Sequence, residues 1–194
     1  MHWTEAKDLL GELVRRPRFG LVSDIDGTLS PIVDRPEEAA ITPRNKELLA
    51  ALNEQIALVA LVSGRAAGDA RMRVGLPQLI YIGNHGLDRW QSEELSILPA
   101  AAAQRSTLEA ALEELNFEEE GVYVEDKGAS LSVHYRQLQD PAAFVKKVEV
   151  DLLKLANRNR LKFSTGRMVF EFKPDIDVDK GSALRGLVND DNLD

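Results

Sequence analysis

An α/β fold with a parallel sheet, interrupted by a small α+β insertion, is predicted by three observations. Short, wholly apolar runs alternate with helical patterns as far as about Leu95. A polar cluster follows directly after each of three such runs. Beyond Leu95 the texture changes to helix, alternating segments, helix and alternating segments again.

The elements follow in order. In "MHWTEAKDLLGELVRRPR" the stripe Leu9, Leu10, Leu13 and Val14 predicts an amphipathic helix; its acids and short stripe exclude a secretion signal. Phe19–Ser23 reads as a buried strand ending at two aspartates. "ITPRNKELLAALNEQ" reads as a helix with Thr42 at its N-cap and Pro43 at its first position. Ile56–Val62 is the next strand, "AAGDARMRVGL" a short helix, and "QLIYIG" a third strand. In a parallel sheet ligands lie beyond the carboxyl ends of the strands. The clusters Asp24–Thr28, Ser63–Arg65 and Asn84–Gly86 all follow strand ends, so they can converge. The acidic tail Asn189–Asp194 reads as a polar loop after a helix that starts near Lys180.

The insertion opens with the helix "AAAQRSTLEAALEEL", and a second helix carries Phe144, Val148, Leu152 and Leu155 on one stripe. Alternation assigns its strand faces. Leu131, Val133 and Tyr135 share one face, and Met168, Phe170 and Phe172 form another apolar face; both are expected to pack under the helices. Glu125, Lys127, His134, Arg136, Arg167, Glu171 and Lys173 fall on the polar side. That side is either a solvated sheet face, the usual case, or a lid carrying a polar pocket for a hydroxyl-rich or anionic ligand. The division expected is 1–94 with 176–194 for the core, and 95–175 for the insertion.

Composition narrows the function. The 194 residues carry a net charge of −8 spread along the chain, against a sequence-independent grip on nucleic acid. An anionic small substrate in a local basic pocket remains compatible. With no cysteine the chain holds no disulfide and no thiolate metal site. The strongest apolar run, Ile56–Val62, is far too short to span a bilayer. A cytoplasmic monomer with neither nucleic-acid nor membrane partners is expected.

The chemistry concentrates at "LVSDIDGTLSPIV". At roughly 6 Å, two carboxylates repel by about 3 kcal/mol at an effective dielectric near 20. A hard cation removes that cost, and Mg²⁺ suits few carboxylates plus phosphate and water. An aspartate also serves as a nucleophile toward phosphorus, and a second carboxyl nearby serves as acid and then base.

The run D-x-D-G-T-L after an apolar strand resembles the first motif of the haloacid dehalogenase superfamily, whose core is a Rossmann-like α/β sheet. "LVSGR" resembles the second motif and "VDKGSALRGL" the third. Together with "YIGNHGL", "EDKGASLSVHYR" and "FEFKPDIDVDKGSAL", in that order, they resemble the trehalose-6-phosphate phosphatases from Leu21 to about Leu187. The resemblance implies Asp24 as nucleophile, Asp26 as general acid/base, and Lys180 as the cation at the phosphoryl group. It implies Mg²⁺ held by Asp24 and Asp26, in part through the Asp26 main-chain carbonyl. Ser63 would bind phosphate, with Thr28 and Gly64 beside it. Arg65, Asn84, His85 and Gly86 would lie by the phosphate or the first glucose. In that family the insertion is a cap, and Glu125, Lys127, Arg136 and Glu171 would meet the sugar. The implied substrate is trehalose 6-phosphate or a similar sugar phosphate. The role of His134 stays open.

Members of that family also carry an acidic G-D-D-x-T-D motif after a further strand. The tail "LRGLVNDDNLD" offers Asp190, Asp191 and Asp194 but leaves no room for a strand before them. A core incomplete at this end, weak Mg²⁺ binding and low activity are therefore expected. Three functions stand: a trehalose-6-phosphate phosphatase, a related phosphatase for another disaccharide phosphate, and a weakly active or non-catalytic module that binds sugar phosphate.

Overall fold

The computed structural model describes residues 3–33, 38–190 and 193, which divide into two units. One contains the described residues up to Leu95 and from Val178 onward; the other is Ser96–Asp177.

In the first unit the three apolar runs form the strands β1 (Gly20–Ser23), β2 (Leu58–Val62) and β3 (Ile80–Gly83), paired in parallel. Every residue of β2 and β3 is buried, as a parallel strand covered on both faces requires. Alternation splits them between two cores. Val59, Leu61 and Tyr81 pack with α2 (Pro43–Asn53) and α3 (Ala67–Val74) through Leu49, Ala67, Ala70 and Val74. Leu58, Ala60, Val62, Ile80 and Ile82 pack on the other face against Leu187 of α7 (Lys180–Asp190). The Thr42 hydroxyl accepts the Asn45 amide at 3.1 Å, and Pro43 opens α2 as expected.

Three findings differ from the sequence reading in this unit. The helix α1 (Lys7–Leu13) forms, but it buries no side chain, and Leu9, Leu10, Leu13 and Val14 are exposed. The sheet is mixed: β4 (Asp88–Gln91) runs antiparallel to β3, and β5 (Glu94–Ile97) lies beyond it, giving the order β1-β2-β3-β4-β5. The β4–β5 turn takes positive φ at Ser92 and Glu93, where glycine or asparagine would have signalled a hairpin. Helix α7 continues through Asn189 and Asp190, where a polar loop was expected; Asp191 and Asp194 lie outside the described residues.

The second unit runs α4 (Pro99–Ala102), α5 (Arg105–Glu114), β6 (Tyr123–Asp126), β7 (Leu131–His134), α6 (Pro141–Arg158), β8 (Leu161–Gly166) and β9 (Val169–Pro174). The first expected helix is broken in two at Gln104, which leaves helical geometry at φ −101° and ψ 11°. The sheet is antiparallel in the order β6-β7-β9-β8. Leu131, Val133, Phe170 and Phe172 are fully buried against Leu108, Ala111, Phe144, Leu152 and Leu155 of the helices. Tyr135 joins them, its ring 4.8 Å from that of Phe170. Met168, assigned to this face, lies instead in the tight β8–β9 turn at φ +64° and is exposed. Gly166 pairs with Val169, so only two residues make the turn and the alternation stops short of Met168.

On the opposite face Glu125, Ser132, Glu171 and Ser164 stand in one cross-strand row. The turn after β6 is anchored from below. Arg105 grips Asp126 in a bidentate pair at 2.7 and 2.6 Å and donates to the Gly128 carbonyl at 3.1 Å. Asp126 also accepts the Gly128 amide at 2.8 Å.

Two predictions follow from this packing. Phe172→Ala empties a fully buried ring position and should cost about 3–5 kcal/mol, read as lost amide-exchange protection across β6–β9. The Arg105 hydrogen bond outweighs burial and holds the Asp126 carboxyl below its usual value of 3.8. Folded Asp126 therefore binds protons less readily than unfolded Asp126. Its contribution is complete above that usual value and is lost as pH falls through the lowered one. Asp126→Asn should destabilise this unit by about 1 kcal/mol at pH 7, the pair being partly exposed. The difference from the parent should shrink as pH falls below 3.8 and through the lowered folded value.

Candidate active site

The sheet brings three polar clusters to one end. β1, β2 and β3 are parallel and in register, Ser23 beside Leu61 and Val62 beside Ile82. Asp24, Ser63 and Asn84 each follow a strand's last residue, so all leave the sheet at its carboxyl end.

The first cluster turns sharply. Gly27 takes φ +83° and donates to the Ser30 carbonyl at 2.8 Å, while the amides of Thr28, Leu29 and Ser30 all point to the Ile25 carbonyl. Ile25 is buried beneath, leaving Asp24 half-buried and Asp26 and Thr28 exposed. Asp24 Oδ1 accepts the Ile25 amide at 2.8 Å. Its other oxygen, Oδ2, lies 3.0 Å from Lys180 Nζ.

Lys180 arrives there because α7 begins there. The Asp179 carboxylate accepts the Ser182 amide at 2.6 Å, and the Ser182 hydroxyl accepts the Asp179 amide at 2.8 Å. This reciprocal cap fixes the helix start. The Ser182 amide is also the main reason the Asp179 carboxyl lies below its ordinary value. Gly86, at φ +115°, lets the third cluster approach that start. A Cβ on it would stand 2.9 Å from Val178 Cγ1 and 3.1 Å from the Asp179 carbonyl oxygen.

The second and third clusters interlock. Ser63 is buried; its Oγ accepts the Arg65 amide at 3.1 Å. The Ser63 carbonyl accepts the His85 amide at 3.0 Å, and the Arg65 carbonyl accepts the Asn84 amide at 2.7 Å. The His85 ring rests on Gly64, where any Cβ would meet Nε2 at 2.8 Å. Arg65 then reaches the first cluster. Its Nε and Nη2 each donate to Asp26 at 2.8 Å, occupying both carboxylate oxygens. Burial lowers the Arg65 pKa, but Asp26 and Asp69 outweigh it and raise it overall.

The predicted residues of the first unit thus fall into one connected set, with two distinctions. Thr28 sits exposed on the loop, and Asn84 is fully buried, its amide donating to Asp88 Oδ2 at 3.0 Å. In the second unit Lys127 Nζ lies 3.9 Å from both Glu125 and Glu171, and His134 Nε2 lies 2.8 Å from Glu125 Oε2. Lys173 completes the group at 2.7 Å from Glu171. Arg136 stands apart and donates to the Arg167 carbonyl at 3.2 Å.

Two supporting carboxylates escaped the sequence reading. Asp69 accepts from Arg65 at 3.2 Å and from Arg73 at 2.8 Å; its helical spacing of four from Arg65 was a usable signal. Asp88 is buried and joins the Asn84 side chain to the amide of Ala67 at the head of α3. It lies on a strand that the sequence did not announce, so nothing flagged it.

Among the described residues no set of three or more acidic or histidine side chains is gathered to hold a metal ion. Mg²⁺ asks less of a protein: one or two carboxylates, with water and substrate phosphate completing the octahedron. Asp24 and Asp26 meet that demand in donor type and number. Asp190 takes no part; it pairs with Arg89 at 3.1 Å.

Among the described residues no helix is long and apolar enough to cross a membrane. A family model described as trehalose-phosphatase matches residues 22–194. A trehalose-phosphate phosphatase of Mycobacterium ulcerans is 36% identical over 203 residues, covering 97% of this chain and 50% of the relative. The chain thus spans about half the length of the curated relatives it matches. The fold is similar to the C-terminal domain of a trehalose-6-phosphate phosphatase of C. albicans, with TM-score 0.77 and 22% identity over 94% of this chain and 66% of that one. It is also similar to a haloacid dehalogenase-like hydrolase of Bacteroides thetaiotaomicron, with TM-score 0.54 and 15% identity over 90% and 77%. With two aspartates, a serine and a lysine gathered at the carboxyl end of its parallel strands, and with a family model matching residues 22–194, the chain belongs to the trehalose-phosphatase family.

Proposed function

We propose that this chain carries the catalytic machinery of a phosphatase that hydrolyses trehalose 6-phosphate to trehalose and inorganic phosphate. The carrying observation is the pair at the end of β1: Asp24 beside Lys180, and Asp26 gripped by Arg65. An Asp24 carboxylate oxygen attacks phosphorus, and the bond to the sugar oxygen breaks. Asp26 gives that oxygen its proton. Water then attacks the aspartyl phosphate, Asp26 takes a proton back, and phosphate leaves with Asp24 restored. Lys180 and Arg65 supply the positive charge that the phosphoryl oxygens need, and Ser63 supports the loop that carries Arg65. Asp26 must leave Arg65 to take up a proton, and an incoming phosphate dianion competes for that guanidinium.

Mg²⁺ would be held by the oxygens of Asp24 and Asp26, where it would offset their charge and that of the phosphoryl group. In the second unit Glu125, Lys127 and Glu171 offer hydrogen bonds suited to sugar hydroxyls. Cytoplasmic residence is supported by the cysteine-free, acidic composition.

A second reading, a module that binds sugar phosphate without turnover, is favoured by one observation. Arg65 occupies both carboxylate oxygens of Asp26, the group that turnover requires to carry a proton. Phosphate release across a panel of sugar phosphates separates the two; thermal stabilisation by ligand without release supports the module.

Asp24→Asn should lower phosphate release by about a thousandfold or more, measured with trehalose 6-phosphate and Mg²⁺. Undiminished turnover would sink the nucleophile assignment. Chelation by EDTA should abolish release in the parent, and added Mg²⁺ should restore it.

A further inference from the structure

The aromatic residue that opens β6 has no part in the chemistry above. Tyr123 is 61% exposed, yet its ring is not loose on the surface. It lies against His134, its register partner on β7, with ring centroids 5.8 Å apart and planes 23° from parallel. His134 Nε2 is in turn 2.8 Å from Glu125 Oε2. Side chains two apart on a strand share a face. Tyr123 and Glu125 therefore project from the same side of the sheet, and the row Glu125, Ser132, Glu171 runs alongside.

A tyrosine exposed singly on an edge strand needs no explanation. What distinguishes Tyr123 is the ring behind it and the carboxylate bound to that ring. The result is an oriented apolar surface bordered by hydrogen-bonding groups. A pyranose has the complementary form: a face of C–H bonds and a rim of hydroxyls. We propose that Tyr123, backed by His134, is a stacking platform for a pyranose ring of the sugar phosphate, with Glu125 and Lys127 meeting hydroxyls at its rim. This assignment rests on the sugar-phosphatase reading. The tyrosine ring supplies apolar contact area with few rotatable bonds. Its stack on His134 limits the freedom that ring has left to lose on binding.

Tyr123→Ala and Tyr123→Phe, compared in the full chain by two readouts, test the platform. In saturation-transfer NMR with trehalose, the parent and Tyr123→Phe should pass saturation to sugar C–H protons, and Tyr123→Ala should not. In phosphate release from trehalose 6-phosphate, Tyr123→Ala should raise KM about tenfold, with the loss falling on KM and not on kcat. Tyr123→Phe should restore the parent value. Sugar contact that vanishes in Tyr123→Ala, without phosphate release by the parent, supports the platform and defeats the phosphatase reading. Equal KM in the parent and Tyr123→Ala, or saturation that survives Tyr123→Ala, overturns the platform and leaves the phosphatase intact. Absence of any transfer to trehalose in the parent also overturns it.

Discussion

Like charge at the end of β1 is the constraint from which the rest of the first unit follows. Asp24 and Asp26 leave one strand end together, and without compensation their repulsion would work against the fold. Each is answered by a cation from a distant stretch of chain: Lys180 for Asp24 and Arg65 for Asp26. A helix cap, a glycine contact and an interlocked pair of loops bring those cations into place. The same arrangement suits phosphoryl transfer, because cations that offset two carboxylates also attract a phosphate dianion.

The buried carboxylate of Asp88 shows how that balance is held rigid. It joins the Asn84 side chain to the amide at the head of α3, a helix whose Asp69 flanks Arg65. Gly83 is hemmed in at the same point, where a Cβ would collide with the Ala67 nitrogen at 2.1 Å. The loop that carries Arg65 is thus tied to the one that carries His85 by backbone hydrogen bonds and by a buried carboxyl group. Both of those side-chain bonds fall on one oxygen, Oδ2. This one spends its bonds on geometry beside the candidate site.

The buried strands were legible because burial on both faces leaves one kind of residue: nothing polar interrupts Leu58–Val62. The helix at Thr42 and the one at Lys180 were legible through their starting residues. The β4–β5 pair was not, because its turn uses Ser92 and Glu93 at positive φ and β4, Asp88–Gln91, lacks clean alternation. Met168 was misassigned because periodicity does not reveal where a two-residue turn begins. Among the site residues, Asp24, Asp26 and Lys180 announce themselves by motif. The ion pair of Arg65 with Asp26 joins residues far apart in sequence, so it becomes visible only when the strands are laid side by side.

Gly86 has a consequence for how such a chain diverges. Everything from Ser96 to Asp177 lies between the aspartates and the lysine that answers one of them. The return of the chain is nevertheless gauged locally, by the close seating of Val178 and Asp179 on a residue without a side chain. The intervening unit can exchange its sequence while the charge geometry keeps its own reference point. A single absent methyl group acts as the datum from which the lysine is measured, and that separates the inheritance of the charge geometry from the inheritance of the inserted unit.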